Sequence, residues 1–190
     1  AAYIFTSGTT GLPKAALVDH AKLVKGSFAG HFLCFNFNKN DRLYMTLPLY
    51  HSTGLILGWA ASLRSGCPNV IKSKFSASDF WNDVKKYNVN KFIYVGELCR
   101  YLMNLPPSDG DKDNPITQIS GNGLRPDIWE SFQKRFNISK IVEIYGATEA
   151  VGMTINSFGR SGMIGRKRSD STIIHCNNCL LYTSPSPRDF

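Results

Sequence analysis

Short apolar runs alternate along this chain with stretches that are apolar only at every third or fourth position, as in strands interleaved with helices. Residues 3–5 read as the end of a buried strand, and residues 15–18 continue extended after a polar break. A helix is expected over 20–32, a strand over 42–47, a mostly apolar helix over 53–63 and a short strand over 69–72. Ser76 is a good N-cap for a helix reaching residue 87, with Phe80, Trp81 and Val84 as its apolar stripe. Residues 91–95 read as a further strand, and 97–104 as a helix stopped by Pro106-Pro107. A polar, flexible loop is expected over 108–114 and a strand over 116–120. A helix over 126–136, with Pro126 in its first turn, and a strand over 140–145 complete the series. Strands joined by crossover helices make a mainly parallel sheet with helices on both faces, an α/β fold. Ligands of such sheets collect beyond the carboxyl ends of the strands.

The polar break is the first candidate site. In Thr6-Ser-Gly-Thr-Thr-Gly-Leu-Pro-Lys14, Gly8 and Gly11 let successive N–H groups turn inward as an anion-binding nest. Thr6, Ser7, Thr9 and Thr10 add hydroxyl donors, and Lys14 adds a mobile positive charge. Pro13 stands where a Walker A loop needs its second glycine, so the pattern is not that motif. An ordinary hairpin turn is the plain alternative, for which six glycine and hydroxyl residues are lavish.

Two more stretches follow predicted strands. In Tyr145-Gly-Ala-Thr-Glu149 a tyrosine can stack on a flat base, Gly146 lets a nucleotide approach the backbone, and Thr148 can donate to a phosphate. Glu149 offers hard carboxylate oxygen to Mg²⁺, which binds through one or two carboxylates plus substrate phosphates. A helix N-terminus with a well-placed glutamate gives the same pattern. Gly121-Asn-Gly123 exposes backbone at the sheet's edge, and Asn122 carries both donor and acceptor for an adenine edge. Asn-Gly is also a common turn pair. Glu97 and Arg100 are expected to pair on a surface at helical spacing.

These motifs resemble those of the adenylate-forming superfamily. Leu47-Pro-Leu-Tyr-His-Ser52, Tyr94-Val-Gly-Glu-Leu-Cys-Arg-Tyr-Leu102, Gly121-Asn-Gly-Leu-Arg125 and Glu143-Ile-Tyr-Gly-Ala-Thr-Glu149 narrow the resemblance. Together they are similar to the very-long-chain acyl-CoA synthetase / fatty acid transport protein family over about residues 1–165. The resemblance implies a fragment of an AMP-binding domain over 1–166, part of the large N-terminal domain of a fatty acid–CoA ligase. It implies ATP and Mg²⁺ as cofactors and coenzyme A as co-substrate. Thr6, Ser7, Gly8, Thr9, Thr10, Gly11 and Lys14 would hold the β- and γ-phosphates. Gly121, Asn122, Gly123, Tyr145, Gly146 and Ala147 would receive the nucleotide, Thr148 the α-phosphate and Glu149 the metal. Lys14, Thr148 and Glu149 are then the catalytic set.

By the same resemblance His51 lies near the acyl carboxylate; a strand-end histidine is more often a capped structural residue. Ile93-Tyr-Val-Gly96 either lines an acyl tunnel, with Gly96 leaving room, or is a buried parallel strand. Without the family's further motifs and lid, these residues alone are expected to be inactive. The rivals are an adenylate former for another acid, a fatty acid uptake protein with secondary ligase activity, and a truncated, catalytically dead product or binding module. For the complete protein, membrane association is implied at the endoplasmic reticulum, peroxisome or plasma membrane, with the catalytic domain in the cytosol.

Composition changes this picture little. With 43% hydrophobic and 19% charged residues the chain has the make-up of a soluble globular protein. The net charge is +8, and no Lys/Arg cluster is interleaved with aromatic platforms, so nucleic-acid binding is not expected. Five cysteines in no framework spacing favour a reducing compartment; Cys176-Asn-Asn-Cys179 is half a zinc site at best. No run of 18 apolar residues occurs. Residues 167–190 lose the family pattern, Cys179 to Asp189 has no period of either kind, and this tail reads as a translated sequencing adaptor or a disordered tail.

Overall fold

A computed structural model describes residues 2–6, 12–148 and 153–166. Strands β1 (Ala2–Thr6) and β2 (Lys14–Val18) pair antiparallel as a separate hairpin, with Thr6 opposite Lys14. Ile4 and Val18 seat it against Ile56. Helix α1 (His20–Ala29) starts at Asp19, whose carboxylate accepts the Lys22 N–H at 2.6 Å. The chain then widens into a π-helical segment, Gly30–Phe35. After β3 (Leu43–Met45) comes a second π-helical segment, Thr53–Ala60, then α2 (Ala61–Ser65) and β4 (Asn69–Ile71). The remainder is α3 (Ala77–Lys86), β5 (Lys91–Val95), α4 (Gly96–Met103), a 3₁₀ turn at Asp109–Lys112, β6 (Gln118–Asn122), α5 (Pro126–Arg135), β7 (Lys140–Gly146) and β8 (Met153–Asn156).

The main sheet runs β4-β3-β5-β6-β7-β8, parallel throughout except for the antiparallel β7–β8 pair. Strand β5 shows why both faces are covered. Phe92, Ile93 and Tyr94 are consecutive, point to alternate faces and are all fully buried. On one face Phe92 and Tyr94 pack with Phe80 of α3, Leu102 of α4 and Trp129 and Phe132 of α5. On the other, Ile93 and Val142 pack with Phe35, Leu57 and Ala61. Helix α3 begins as expected: Ser76 Oγ accepts the Asp79 N–H at 3.4 Å, and Phe80 and Val84 are buried.

Several elements differ from the sequence reading. The helix expected over 20–32 stays α-helical only to Ala29, and much of 53–63 is π-helical. The two wide segments lie against each other: a Cβ on Gly30 would sit 2.9 Å from the Leu57 carbonyl oxygen. Uniformly apolar stretches carry no period that separates a 3.6-residue turn from a wider one. Strand β3 stops at Met45, ahead of Pro48, which has no N–H for a ladder.

The polar loop at 108–114 is instead a capped turn. Ser108 Oγ accepts the Gly110 N–H and the Asp111 carboxylate accepts the Ser108 N–H, each at 3.2 Å. Arg135 locks it, donating to Asp111 Oδ2 at 2.6 Å and to the carbonyls of Met103, Leu105 and Pro106. Strand β8 was not expected from the sequence at all. The residues assigned there to a tail, 167–190, lie outside the described ones.

Candidate nucleotide site

Four of the five motifs emerge at the carboxyl ends of parallel strands: 47–52 after β3, Gly96 after β5, Gly121-Asn-Gly123 at the end of β6, and Tyr145 to Thr148 at the end of β7. Strands β6 and β7 are in register with Gly121 opposite Glu143, so the β6 turn and the β7 tip project side by side. Asn122 and Tyr145 are both exposed there, Tyr145 to 62%. An exposed tyrosine beside an exposed amide suits a flat heterocycle with polar edges.

The turn itself stands on a buried carboxylate. Glu143 Oε2 accepts the Tyr94 hydroxyl at 2.6 Å and the Leu124 N–H at 3.4 Å, while Oε1 accepts the Gly123 N–H. Burial raises the Glu143 pKa above its ordinary value, although these hydrogen bonds oppose the shift. Burial, then the neighbouring Glu143 charge, raises the Tyr94 hydroxyl well above the phenol range. Glu143 therefore fixes the backbone of Gly123, whose φ of +83° few other residues tolerate.

Close backbone approach completes the turn. A Cβ on Gly121 would lie 2.0 Å from the Tyr94 carbonyl oxygen, and one on Gly96 would lie 1.8 Å from that of Gly123. The structure thus supplies another reason for Gly96 than room for an acyl chain: it lets α4 start against the nucleotide turn. Ile93 and Tyr94, expected on the alternative reading to line a tunnel, are packed in the two cores.

At the β7 tip, Thr148 is gripped from two sides. Its hydroxyl lies 2.8 Å from Ser52 Oγ, and its carbonyl accepts Lys22 Nζ from the first turn of α1. Next to Ser52, His51 Nδ1 accepts the Thr53 N–H at 3.3 Å, so a neutral ring carries its proton on Nε2. His51 is exposed on the same rim. Lys14 is exposed at the loop end of the hairpin, where Thr6 Oγ1 donates to its carbonyl at 3.3 Å. Ser7, Gly8, Thr9, Thr10, Gly11 and Glu149 lie outside the described residues. Among those described, no group of three or more His, Cys, Asp or Glu could hold a metal ion.

Sequence reasoning placed Glu143, Tyr94 and Ser52 within the quoted motifs but gave them no role in this site, and it missed Lys22. Glu143 had a signal: a lone charge inside the apolar strand Ile141-Val142-Glu143-Ile144. Lys22 had none, because only the fold brings the start of α1 to the tip of β7.

The model of the AMP-binding enzyme family matches residues 1–176. The chain belongs to that family. Among curated relatives, long-chain fatty acid transport protein 6 of Mus musculus is 49% identical over 164 residues, covering 86% of this chain and 26% of the relative. Long-chain fatty acid transport protein 1 of Homo sapiens is 45% identical over 163 residues, covering 86% and 25%. The chain thus spans about a quarter of the length of these relatives. Among solved structures, ATP-bound MatB from Rhodopseudomonas palustris matches with a TM-score of 0.75 at 22% identity, over 86% of this chain and 33% of that one. The AMP complex of o-succinylbenzoate coenzyme A synthetase from Bacillus subtilis matches at 0.71 and 22%, over 86% and 34%. At that identity the likeness establishes the AMP-binding fold, as the mainly parallel sheet predicted.

Proposed function

We propose that the protein containing this chain is an ATP-dependent fatty acid–coenzyme A ligase for long or very long chains. The observation that carries this reading is the convergence of four motifs on adjacent strand ends, in a chain of the AMP-binding family that is 45–49% identical to long-chain fatty acid transport proteins. In the first step the fatty carboxylate attacks the α-phosphorus of ATP and pyrophosphate leaves, giving an acyl-adenylate. In the second the thiol of coenzyme A attacks the acyl carbonyl, AMP leaves, and the thiol proton passes to solvent. A carboxylate is already nucleophilic at neutral pH, so the protein's task is positioning and charge neutralisation.

Residues 6–11 and Lys14 take the β- and γ-phosphates, and Thr148 the α-phosphate. The base rests between Tyr145 and the turn Gly121-Asn-Gly123, with Gly146 and Ala147 along its edge. His51 stands by the acyl carboxylate, and Gly96 borders the acyl path only through the turn it supports. Glu149 would supply a carboxylate to Mg²⁺ beside phosphate oxygens, and the bound ion would neutralise phosphate charge. The complete protein is membrane-associated on this reading; among the described residues no helix is long and apolar enough to cross a membrane.

The test is fatty acid-dependent formation of AMP and acyl-CoA by the complete protein with ATP and Mg²⁺. Loss of both products in Lys14→Ala and Glu149→Ala is expected. A folded, ATP-binding protein inactive on every fatty acid from medium to very long chain would overturn the reading. The word transport in the relatives' names favours one second reading, an uptake protein whose ligation is secondary. Cellular uptake that survives Glu149→Ala while ligation is lost would select it.

A further inference from the structure

We infer that Ser52 is a positioning residue for the adenylation step, acting through Thr148, with Lys22 pinning the backbone at the same point; this rests on the ligase reading above. Thr148 Oγ1 and Ser52 Oγ lie 2.8 Å apart, a full hydrogen bond in which either oxygen has the geometry to donate. Each hydroxyl owns one proton and two lone pairs. If Thr148 donates to Ser52, it has nothing left for a phosphate oxygen. If Ser52 donates to Thr148, the threonine proton points away and is free for the α-phosphate.

The productive arrangement is therefore Ser52 O–H to Thr148 Oγ1, and Thr148 O–H to phosphate. Bonds chained in this way polarise one another, so the donor facing the phosphate is strengthened as well as aimed. Backbone anchoring keeps the arrangement in place. Lys22 Nζ donates to the Thr148 carbonyl, which holds the residue immediately before Glu149. An ammonium has three protons, and this contact uses one of them. Three separate elements meet at Thr148: the first turn of α1, the segment leading into Thr53–Ala60, and the end of β7. Thr148 lies two residues past the end of β7 at Gly146, beyond the strand's ladder.

Neither Ser52 nor Lys22 needs to touch the nucleotide. Their effect appears in the step at the α-phosphorus and not in the capture of ATP, since Tyr145 and the phosphate hairpin supply ground-state binding. A contribution realised mainly in the transition state lowers kcat and leaves KM nearly unchanged.

The experiment uses the complete protein and measures ATP–pyrophosphate exchange driven by a long-chain fatty acid, which isolates the first step. Ser52→Ala is expected to lower kcat by about 10- to 100-fold, the range typical of supporting residues behind a first contact. Its KM for ATP should move by less than about twofold, because ground-state binding is retained. Ser52→Thr keeps the hydroxyl and should recover most of the rate. The decisive comparison is the cycle with Thr148→Ala. Once Thr148 has lost its hydroxyl, adding Ser52→Ala should change the rate by less than about twofold, as expected for two groups acting as one unit. Equal losses from Ser52→Ala with and without Thr148 would overturn the proposal, as would a wild-type rate for Ser52→Ala. A rise in KM without loss of kcat would also overturn it. Wild-type exchange together with its absence in Glu149→Ala shows that the ligase reading stands; absence of exchange in the wild type removes that reading and this one with it.

Discussion

Replacing Glu143 tests how the nucleotide turn is built. Its carboxylate accepts Tyr94 O–H, Gly123 N–H and Leu124 N–H, and both the strand residue and the tyrosine are buried. Glu143→Ala strands two strong donors, at about 1–3 kcal/mol each, so the turn should lose about 2–6 kcal/mol of local stability. Glu143→Gln keeps the shape but turns one acceptor into a donor. The Tyr94 oxygen can accept from the new amide, which leaves one tyrosine proton unpaired, a cost of about 1–3 kcal/mol. The Gln change also removes the penalty of burying a charge, and that offset depends on pH.

The sign follows from proton counts. Burial raises the Glu143 pKa in the folded protein above the ordinary 4.5. Between those two values the unfolded chain holds fewer protons than the folded one, so stability falls as pH rises. The raised pKa favours the fold fully below the ordinary value, and that advantage is lost as pH rises through the folded one. Glutamine does not titrate. The deficit of Glu143→Gln relative to wild type should therefore shrink between pH 5 and pH 8. The assay is amide exchange of residues 118–125 in the complete protein, taken as the ratio of variant to wild type at each pH so that intrinsic exchange cancels. About 1.4 kcal/mol of local opening appears as a tenfold ratio. A deficit for Glu143→Gln that grows from pH 5 to pH 8, or unchanged exchange in Glu143→Ala, would show that the buried carboxylate does not hold the turn.

Gly96→Ala places a Cβ against the Gly123 carbonyl, which cannot move without its turn, and should cost about 1–3 kcal/mol and weaken ATP binding in a titration. Arg135→Ala removes a largely buried partner of Asp111 and three carbonyl contacts, a loss of about 3–5 kcal/mol. It should be read as faster proteolysis within 104–114. Cys34 is buried and its thiol pushed up to about 12, and burial likewise raises Cys99. Both should resist alkylation in the native protein at pH 7 and react on unfolding, followed by mass spectrometry.

What the sequence reveals about this fold depends on where the information lies. Strands β5 and β7 and helices α3, α4 and α5 were legible because their apolar patterns or caps are local. Ser76 caps α3 three residues ahead of the N–H it accepts, within one turn of chain. Strand β8 was missed although Met153 to Asn156 alternates apolar and polar, since four residues is the shortest run in which alternation can be read, and β7 supplies its pairing edge. The turn at Asp109–Lys112 was misread for a related reason. Its polar composition is that of a flexible loop, and what orders it is Arg135, 24 residues away. In the site, the glycines and the exposed tyrosine could be found because their residue types announce a backbone need or a stacking face. Ser52 and Lys22 could not, for their roles exist only where a distant strand ends.

The same logic explains why a buried glutamate belongs in an otherwise apolar strand. A turn that presents its outer groups to a ligand must have its inward N–H groups satisfied from beneath, and water cannot serve in a dry core. A neutral acceptor such as a main-chain carbonyl would need another strand in the space that Tyr94 fills. A carboxylate reaches both Gly123 and Leu124 from one side chain while also accepting the Tyr94 hydroxyl. Tyr94 sits on β5 and Glu143 on β7, so this bridge passes across the β6 end on which Gly121 lies against the Tyr94 carbonyl. Any side chain at 121 would push β5 and β6 apart and break the bridge. The two glycines and the glutamate are one device, in which close backbone approach places the turn and the buried charge holds it there.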